Sequence, residues 1–371
     1  MAAFLLGAAG CAGAKTEQSA VEETEAASES EGQANAEGAE NEGTPELGNG
    51  SPWLDTNLKE NIKEGMDPSL KDDFHLYVNY EWLLNNEIPD GYRSNGTFLD
   101  VELETAEKAR NLLADETLES HEARLVQQLY RAWMDWGSRN ELGMEPAVSV
   151  LEKLNEIDDL EEMTAFLCDE ELSKNVPAFA GFSNTADFME SSDYITEVSR
   201  DPFILDDAAE YETRTEMGNR YYEAYKNEVK ELLGRAGWEE NKAEEMFDAA
   251  ISFESELAEV SLTSEDYMSP DIYERIYNIY ELEELTELSP EFPLRQMAES
   301  EGYGSSGRFL IGEPSYFERL NELYTQKNLE TIKDYMRVKY VMSLAQFLDR
   351  EAWDLYIDTR NAVEGSQGSL S

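Results

Sequence analysis

Few side chains in this sequence could bind a catalytic metal ion. His75 and His121 are its two histidines, and Cys11 and Cys168 are its two cysteines. A catalytic zinc ion needs three protein ligands and an open position for water, and paired histidines on one helix reach it when they lie four residues apart. His75 and His121 are far apart and fall in different predicted elements. We therefore expect no metal site, no bound cofactor and no catalytic residue in this chain.

The segment most similar to the zinc-binding motif H-E-x-x-H is His121-Glu122-Ala123-Arg124-Leu125. It has leucine at the position of the second histidine ligand. Leucine cannot bind zinc. Leu125 instead belongs to the apolar face of a predicted helix over residues 123–136, which also carries Leu129, Ala132, Trp133 and Trp136. The sequence therefore predicts that His121 is an exposed residue at the start of this helix.

The charge of the chain excludes one class of partner. The chain has 371 residues, with 81 acidic and 29 basic side chains and a net charge of -52. Residues 12–50 are rich in Glu and Ser and contain no aromatic residue, so we expect them to form a disordered acidic linker. The remainder is also strongly acidic and would repel phosphates, so we expect no nucleic acid partner.

Residues 1–11 form a short apolar run that ends in Ala8-Ala9-Gly10-Cys11. The run resembles a bacterial lipoprotein signal with Cys11 as the lipidated residue, and it is too short to span a bilayer, which takes about 20 residues. The alternative is an apolar N-terminus without a function. We expect a lipid anchor at the outer face of a bacterial membrane, or secretion. Cys168 lies in an apolar run and is expected to be a buried, unreactive thiol.

The rest of the sequence is predicted to be mainly helical. Apolar residues recur at helical spacing over residues 99–113, 123–136, 146–154, 160–167, 210–233, 242–260, 316–323 and 329–348. Residues 194–198, Tyr-Ile-Thr-Glu-Val, are the best candidate for a strand. The expected fold is mainly α, with several helices, few strands and no tandem repeat.

One segment, residues 72–98, is unusually rich in large apolar and aromatic side chains. Its sequence is D-D-F-H-L-Y-V-N-Y-E-W-L-L-N-N-E-I-P-D-G-Y-R-S-N-G-T-F. Its apolar side chains fall on one helical face, and Ile88-Pro89 ends the helix because the residue before proline avoids the α region. The segment resembles the opening motif of the M13 (neprilysin-like) zinc metallopeptidases at Asp73, Phe74, Tyr77, Asn79, Trp82, Leu83, Ile88, Pro89, Gly96 and Phe98. It departs from the family at His75 and Tyr80, where Tyr and Gly are usual.

The resemblance continues over residues 65–360 in softer blocks that keep the family order. Residues 129–135, L-Y-R-A-W-M-D, precede Gly143 and Pro146, and residues 251–258, I-S-F-E-S-E-L-A, resemble an F-E-x-x-L-A helix. Tyr277-Asn278 resembles a Y-N segment. The order and spacing of these blocks identify the chain as similar to the N-terminal domain of the family.

The resemblance implies a multi-helical cap domain of the neprilysin type, preceded by a short N-terminal segment. In the complete family enzyme, an H-E-x-x-H helix and a later Glu bind zinc in a catalytic C-terminal half, and those motifs are absent from this sequence. Family arginines near the G-x-F turn contact a peptide carboxylate, so the resemblance makes Arg93 the candidate for substrate binding here.

We divide the chain into a lipoprotein signal (1–11), an acidic linker (12–50), an N-terminal opening segment (51–98), a helical cap domain (99–360) and a truncated polar end (361–371), after which family members continue. Two functions remain open. The first is the N-terminal region of a zinc metalloendopeptidase, inactive alone and acting on peptides when joined to a catalytic half. The second is a non-catalytic, acidic, helical surface lipoprotein that binds peptides or a protein partner.

The resemblance also predicts an uncovered surface. In a complete enzyme Phe74, Tyr77, Trp82 and Phe98 would pack on the catalytic half. Without that half we expect them to be exposed and to favour self-association, partly opposed by the net negative charge.

Overall fold

The computed structural model describes residues 61–89, 92, 94–115, 117–169, 171–172, 175–177 and 179–364. The chain divides between Leu84 and Asn85 into two compact units. Cys11, Arg93, the lipoprotein signal and the acidic linker lie outside the described residues. The predictions about them, and the predicted domain boundaries, therefore stay predictions.

The described helices account for most of the chain. They are α1 (Phe74–Asn85), α2 (Thr97–Ala114), α3 (His121–Met134), α4 (Trp136–Leu142), α5 (Glu145–Asn155), α6 (Leu160–Leu167), α7 (Ala209–Glu212), α8 (Glu216–Arg235), α9 (Glu240–Ala258), α10 (Ile272–Arg275), α11 (Glu284–Leu288), α12 (Leu294–Ser300), α13 (Pro314–Leu323), α14 (Leu329–Leu344) and α15 (Arg350–Glu364). The described strands are β1 (Ala180–Ala186), β2 (Tyr194–Arg200), β3 (Ile279–Tyr280) and β4 (Phe309–Ile311). The mainly α-helical fold with few strands is confirmed.

In the first unit, hydrogen bonds fix both the start of α1 and the chain before it. Asp73 Oδ1 accepts a hydrogen bond from the Leu76 amide at 2.8 Å, which caps the helix. The Tyr80 hydroxyl donates to the Lys63 carbonyl oxygen at 2.8 Å and accepts from the Met66 amide at 3.1 Å. The tyrosine that departs from the family pattern therefore ties α1 to the residues that precede it.

The four described strands form one sheet in the second unit, in the order β1-β2-β4-β3. β1 and β2 are antiparallel, and β3 is antiparallel to β4. β2 and β4 are parallel, with Thr196 opposite Phe309. The predicted strand at residues 194–198 is confirmed as part of β2. Parallel strands need a long crossover, and here the connection contains α7–α12 and β3.

The core of the second unit lies among α8, α9 and α14. The side chains on the inward faces of these helices are fully buried: Val229, Leu232, Leu233, Ala243, Phe247, Ala250, Leu257, Ile332, Met336 and Val341. Burying one large apolar side chain stabilises a protein by about 1.5–3 kcal/mol. Burial of these side chains therefore contributes strongly to the stability of this unit.

Within this core, the fully buried carboxylate of Glu254 anchors a loop. Its Oε2 accepts hydrogen bonds from the Ile204 amide at 2.9 Å and from the Tyr211 hydroxyl, and Lys339 Nζ lies 3.7 Å from its Oε1. Burial raises the pKa of Glu254 despite the opposing effect of Lys339. The glutamate of the F-E-x-x-L-A block is therefore structural, because it holds the segment after β2 against α9.

The sequence predicts one helix over residues 210–233, and this prediction is wrong: the structure has α7 and α8 with a break between them. Thr215 Oγ1 accepts a hydrogen bond from the Gly218 amide at 3.2 Å and so caps α8. The Glu210 carboxylate accepts from the Thr215 amide at 2.7 Å and from its hydroxyl at 2.6 Å. Side-chain bonds of this kind satisfy the backbone at a helix start and favour a break over a continuous helix.

No helix in the described part of the chain has the length and apolar character needed to cross a bilayer.

Candidate functional site

The two histidines lie in separate units, and both are exposed. His75 lies on α1 in the first unit, and His121 is the first residue of α3 in the second. Ser120 Oγ accepts a hydrogen bond from the Ala123 amide at 3.1 Å and caps α3 immediately before His121. The predicted position of His121 at an exposed helix start is confirmed.

The residues that the structure describes do not form a zinc site. Among them, no group of three or more His, Cys, Asp or Glu side chains is placed to hold a metal ion. Leu125, at the second ligand position of the H-E-x-x-L imitation, is a half-exposed apolar side chain on α3. The donor set that zinc prefers is therefore not assembled by these residues.

Cys168 is the other candidate ligand that the structure describes. It follows α6 as its C-cap residue and is half-buried. Burial raises the pKa of the Cys168 thiol, while a hydrogen bond with Ser300 lowers it. A thiol with a raised pKa holds less of the nucleophilic thiolate and reacts slowly. Cys168 is therefore less buried than the sequence predicts, and its unreactive character stays a prediction.

The helices α2 and α3 expose apolar faces to solvent. α2 has no buried residue, and Phe98 at its start is 95% exposed. Val101 and Leu112 on α2, and Leu125, Val126 and Leu129 on α3, are all more than half exposed. We call these six residues the α2–α3 apolar residues. Phe98, Val101 and Leu112 share one face of α2, and Leu125 and Leu129, four positions apart, share one face of α3 with Val126 beside them.

α1 shows the same property in the first unit. Phe74, Tyr77 and Val78 are more than half exposed, and Trp82 is 37% exposed, whereas Leu76 is the buried residue of the described helix. The predicted exposure of Phe74, Tyr77, Trp82 and Phe98 is confirmed. Apolar helical faces left open to water commonly mark a surface that another protein region covers.

The C-terminal end of α3, in contrast, is packed. The Trp133 ring lies edge-on to Phe347 and Trp353, with centroid distances of 5.3 and 6.0 Å. Arg139 Nε on α4 donates to the Leu348 carbonyl oxygen at 2.7 Å. These contacts fix α3 and α4 to the region around α15, so the exposed N-terminal part of α3 belongs to a helix that is held in place.

A cleft in the second unit contains functional candidates that the sequence reasoning missed. It has a volume of about 520 Å³ and is lined by residues of α8, α14, α15 and the segment 201–206, among them Asp201, Tyr221, Tyr225, Glu228, Lys339, Tyr356 and Arg360. We call it the tyrosine-lined cleft. Glu228 is 1% exposed. Glu228 lies one helical turn before Leu232 on the inward face of α8. The helical spacing of the sequence alone could therefore have indicated a buried glutamate.

The segment Gly302-Tyr303-Gly304-Ser305-Ser306-Gly307 has the G-x-G-x-x-G spacing of dinucleotide-binding loops. Such a loop follows a strand and opens a helix whose N-terminus binds the pyrophosphate. Here the segment follows α12 and precedes β4, which is the reverse order. The glycine spacing therefore does not indicate a dinucleotide-binding loop at this position.

A family model describes most of the chain. Residues 70–370 match the N-terminal domain model of peptidase family M13. The match confirms the resemblance that the opening motif and the following blocks indicate.

Curated relatives are distant and longer. The neutral endopeptidase of Lactobacillus helveticus is 20% identical over 302 residues, which cover 80% of this chain and 46% of that protein. Endothelin-converting enzyme 1 of Homo sapiens is 24% identical over 318 residues, covering 80% of this chain and 40% of that protein. The chain thus spans less than half the length of these relatives.

Solved structures share the fold. The zinc metalloprotease Zmp1 of Mycobacterium tuberculosis, solved with an inhibitor, superimposes with a TM-score of 0.73 at 20% identity, covering 85% of this chain and 48% of that one. PepO of Lactobacillus rhamnosis gives a TM-score of 0.71 at 18% identity, covering 82% and 48%. Together with the family match, the shared fold leads to one conclusion: the chain belongs to peptidase family M13.

Proposed function

We propose that this chain is the N-terminal half of a zinc metalloendopeptidase that cleaves peptides, and that it covers an active site supplied by a second half. The α2–α3 apolar residues carry the proposal. Six large apolar side chains stay in water on α2 and α3, although aromatic packing holds the C-terminal end of α3 in place. Covering them would remove apolar surface from water at about 25 cal/mol per Å², so association with a second half is favoured.

Family membership and the length of the relatives support this proposal. The chain corresponds to 40–48% of proteins named as endopeptidases, endothelin-converting enzymes and zinc metalloproteases. The described residues do not fit a zinc ion. We propose that the ligands and the general base come from the proposed second half, so that the chain alone does not cleave peptides.

The test begins with the gene. We expect the nucleotide sequence that continues or adjoins this reading frame to encode H-E-x-x-H followed by a later Glu. The joined protein, or the two parts expressed together, is then assayed with short fluorogenic peptides, with and without a zinc chelator. We expect chelator-sensitive cleavage from the joined protein and none from this chain alone. A neighbouring sequence without the motif, or cleavage by the chain alone, would contradict the proposal.

The second candidate is a non-catalytic, acidic surface lipoprotein that binds peptides or a protein partner. The same exposed apolar residues support it, because they would suit a protein partner of another kind. The absence of an H-E-x-x-H frame in the gene would favour this candidate over the first.

We also propose that Cys11 carries a lipid that anchors the protein to the outer face of a bacterial membrane. The apolar run before Cys11 and the acidic stretch after it support this proposal. Metabolic labelling with a radioactive fatty acid in a bacterial host is expected to mark the wild type and Cys168→Ser equally, but not Cys11→Ser. Label retained in Cys11→Ser would overturn the anchor and leave secretion as the alternative.

We propose Arg93 as a contact to a peptide carboxylate in the assembled enzyme. The resemblance at the G-x-F turn supports it, because Arg93 lies three residues before Gly96, offset by one position from the usual family site. We expect Arg93→Gln to raise KM for peptides with a free C-terminus and to spare amidated peptides, whereas Arg124→Gln changes neither. An equal effect on both peptide types would rule out a carboxylate contact.

A further inference from the structure

We propose that the tyrosine-lined cleft binds a small organic ammonium ion, such as the alkylammonium group of a lysine side chain or of a polyamine. The cleft lies within the second unit, and its volume of about 520 Å³ falls in the range of small-molecule sites. This inference goes beyond peptide cleavage and does not depend on it.

Two buried acceptors in the cleft lack a partner. Glu228 is 1% exposed, and its Oε1 has no hydrogen-bond partner among the described residues. Asp201 Oδ2 is likewise shielded from solvent and has no such partner. A buried carboxylate oxygen without a hydrogen bond destabilises the folded protein. Both oxygens would gain from a ligand that donates hydrogen bonds and carries a positive charge.

The cations that line the cleft are already engaged elsewhere. Lys339 Nζ donates to the Pro202 carbonyl oxygen and lies 3.7 Å from Glu254 Oε1. Arg360 pairs with Glu364 at the C-terminal end of α15. Once these pairs are set aside, the lining of the cleft keeps three carboxyl groups, those of Asp201, Asp206 and Glu228. When ionised, these carboxyl groups carry negative charge, so the cleft favours a cation over an anion.

Aromatic rings make an organic cation a better fit than a metal ion. Tyr221, Tyr225 and Tyr356 line the cleft, and the ring centroids of Tyr221 and Tyr225 are 6.0 Å apart. The negative faces of such rings attract ammonium groups electrostatically. No metal-binding group of three ligands exists among the described residues, so the cleft does not offer the oxygen cage that calcium needs.

Titration of Glu228 gives the binding a pH signature. Burial raises the pKa of Glu228 to about 8, so the carboxyl is mainly protonated at neutral pH when the cleft is free. A cation favours the ionised form, and its binding should release a proton. The charged and titratable groups that line the cleft with Glu228 are Asp201, Asp206, Tyr221, Tyr225, Lys339, Tyr356, Arg360 and Glu364.

The experiment is isothermal titration calorimetry of the full chain with n-butylammonium, tetramethylammonium, butyrate and calcium at one ionic strength. We expect both ammonium ions to bind one to one, with n-butylammonium binding more tightly because tetramethylammonium has no N–H to donate to the two buried oxygens. Butyrate and calcium are expected not to bind at this site. Because tetramethylammonium keeps its charge, its affinity should rise up to about tenfold per pH unit as the pH approaches the pKa of Glu228 from below.

The variant Glu228→Gln keeps the shape of the side chain and removes its charge. We expect it to lower the affinity for both ammonium ions by at least about tenfold and to abolish the pH dependence. Glu223→Gln, an exposed position on the same helix, is the matched control and should bind as the wild type does. Equal binding of butyrate, or unchanged ammonium binding by Glu228→Gln, would overturn the proposal.

A second variant keeps the test decisive if Glu228→Gln does not fold. Tyr221→Leu removes one ring of the cleft and leaves both acceptors in place. We expect a severalfold loss of tetramethylammonium affinity with an unchanged pH dependence. Wild-type affinity in Tyr221→Leu would show that the rings do not hold the cation and would also overturn the proposal.

Discussion

The helices α8 and α3 are both amphipathic, yet they differ in what covers their apolar faces. On α8, Leu232 and Leu233 are fully buried against the core among α8, α9 and α14. On α3, Leu125 and Leu129 are 51% and 64% exposed. The same helical spacing of apolar residues is therefore satisfied within the chain in one case and left open in the other.

Apolar periodicity therefore predicts a helix and its apolar face, but it does not predict which part of the protein covers that face. A helix gains most of its stability in a protein from packing of its apolar face. α8 has this packing within the chain, whereas the N-terminal half of α3 depends on a cap at Ser120 and on the Trp133 cluster.

Truncating a core leucine of α8 should be far more costly than truncating an exposed one of α3. We expect Leu232→Ala to lower the free energy of unfolding by about 2–5 kcal/mol, because it leaves a cavity in a fully buried site. Leu129→Ala should change it by less than about 0.5 kcal/mol. Urea unfolding followed by circular dichroism measures both. Similar losses would mean that the two faces are equally covered.

The buried carboxyl of Glu228 should make the packed region sensitive to pH. Its pKa is raised to about 8 in the folded chain, above the ordinary value of 4.5, so folding binds a proton between these values. The stabilising contribution is complete below pH 4.5 and is lost as the pH rises through 8. The loss between pH 5 and pH 8 should be on the order of 3 kcal/mol.

Glu228→Gln isolates this contribution from the titration of the other groups. Between pH 5 and pH 8, the free energy of unfolding of Glu228→Gln should fall by about 3 kcal/mol less than that of the wild type. Glu223→Gln, exposed on the same helix, should keep the wild-type slope. Parallel pH profiles for the wild type and Glu228→Gln would show that Glu228 is solvated.

The start of α8 is predicted to be packed more tightly than its end. A Cβ at Gly218 would lie 1.9 Å from Glu210 Oε2, whereas a Cβ at Gly234 would meet nothing within 4 Å. We expect Gly218→Ala to destabilise the protein by about 1–3 kcal/mol. Gly234→Ala should be neutral or stabilising by up to about 1 kcal/mol. Thermal unfolding separates the two, and equal midpoints would contradict the tight contact.

The exposed apolar residues should produce weak self-association. At moderate salt, where charge repulsion is screened, we expect sedimentation velocity of the full chain to detect species larger than the monomer. Leu129→Gln should reduce this fraction. Met268→Gln removes an 86% exposed apolar side chain elsewhere and should leave it unchanged. If the wild type is monomeric at all salt concentrations, the exposed apolar residues do not drive self-association.

The sequence was sufficient to predict the helical fold class, most helices and β2, because strong apolar periodicity marks them. It did not indicate β1, where Ala180–Ala186 reads A-G-F-S-N-T-A and lacks the β-branched and apolar alternation of a strand. Pairing with β2 forms this strand, so tertiary contact overrides its local preference. The break between α7 and α8 was missed because the bonds of Glu210 with Thr215 depend on geometry that periodicity does not encode.

The candidate sites were predicted to different extents. The exposure of Phe74 and Phe98 could be predicted because the resemblance supplies the surface that would cover them. The tyrosine-lined cleft could not, because it joins α8, α14, α15 and the segment after β2, which are distant in sequence. A glutamate on an apolar helical face, Glu228, indicates a buried carboxyl group. It does not indicate which other elements line the cleft around that group.

The parallel pairing of β2 with β4 has a consequence for the order in which the chain can fold during synthesis. β1 and β2 are close in sequence and can pair as soon as both have left the ribosome. Phe309–Ile311 are made more than a hundred residues later, so until then β2 keeps one open edge. Such late, non-local pairing slows folding and exposes a strand edge to other chains. A nascent chain that stops before β4 is therefore expected to be more prone to aggregation than the finished one.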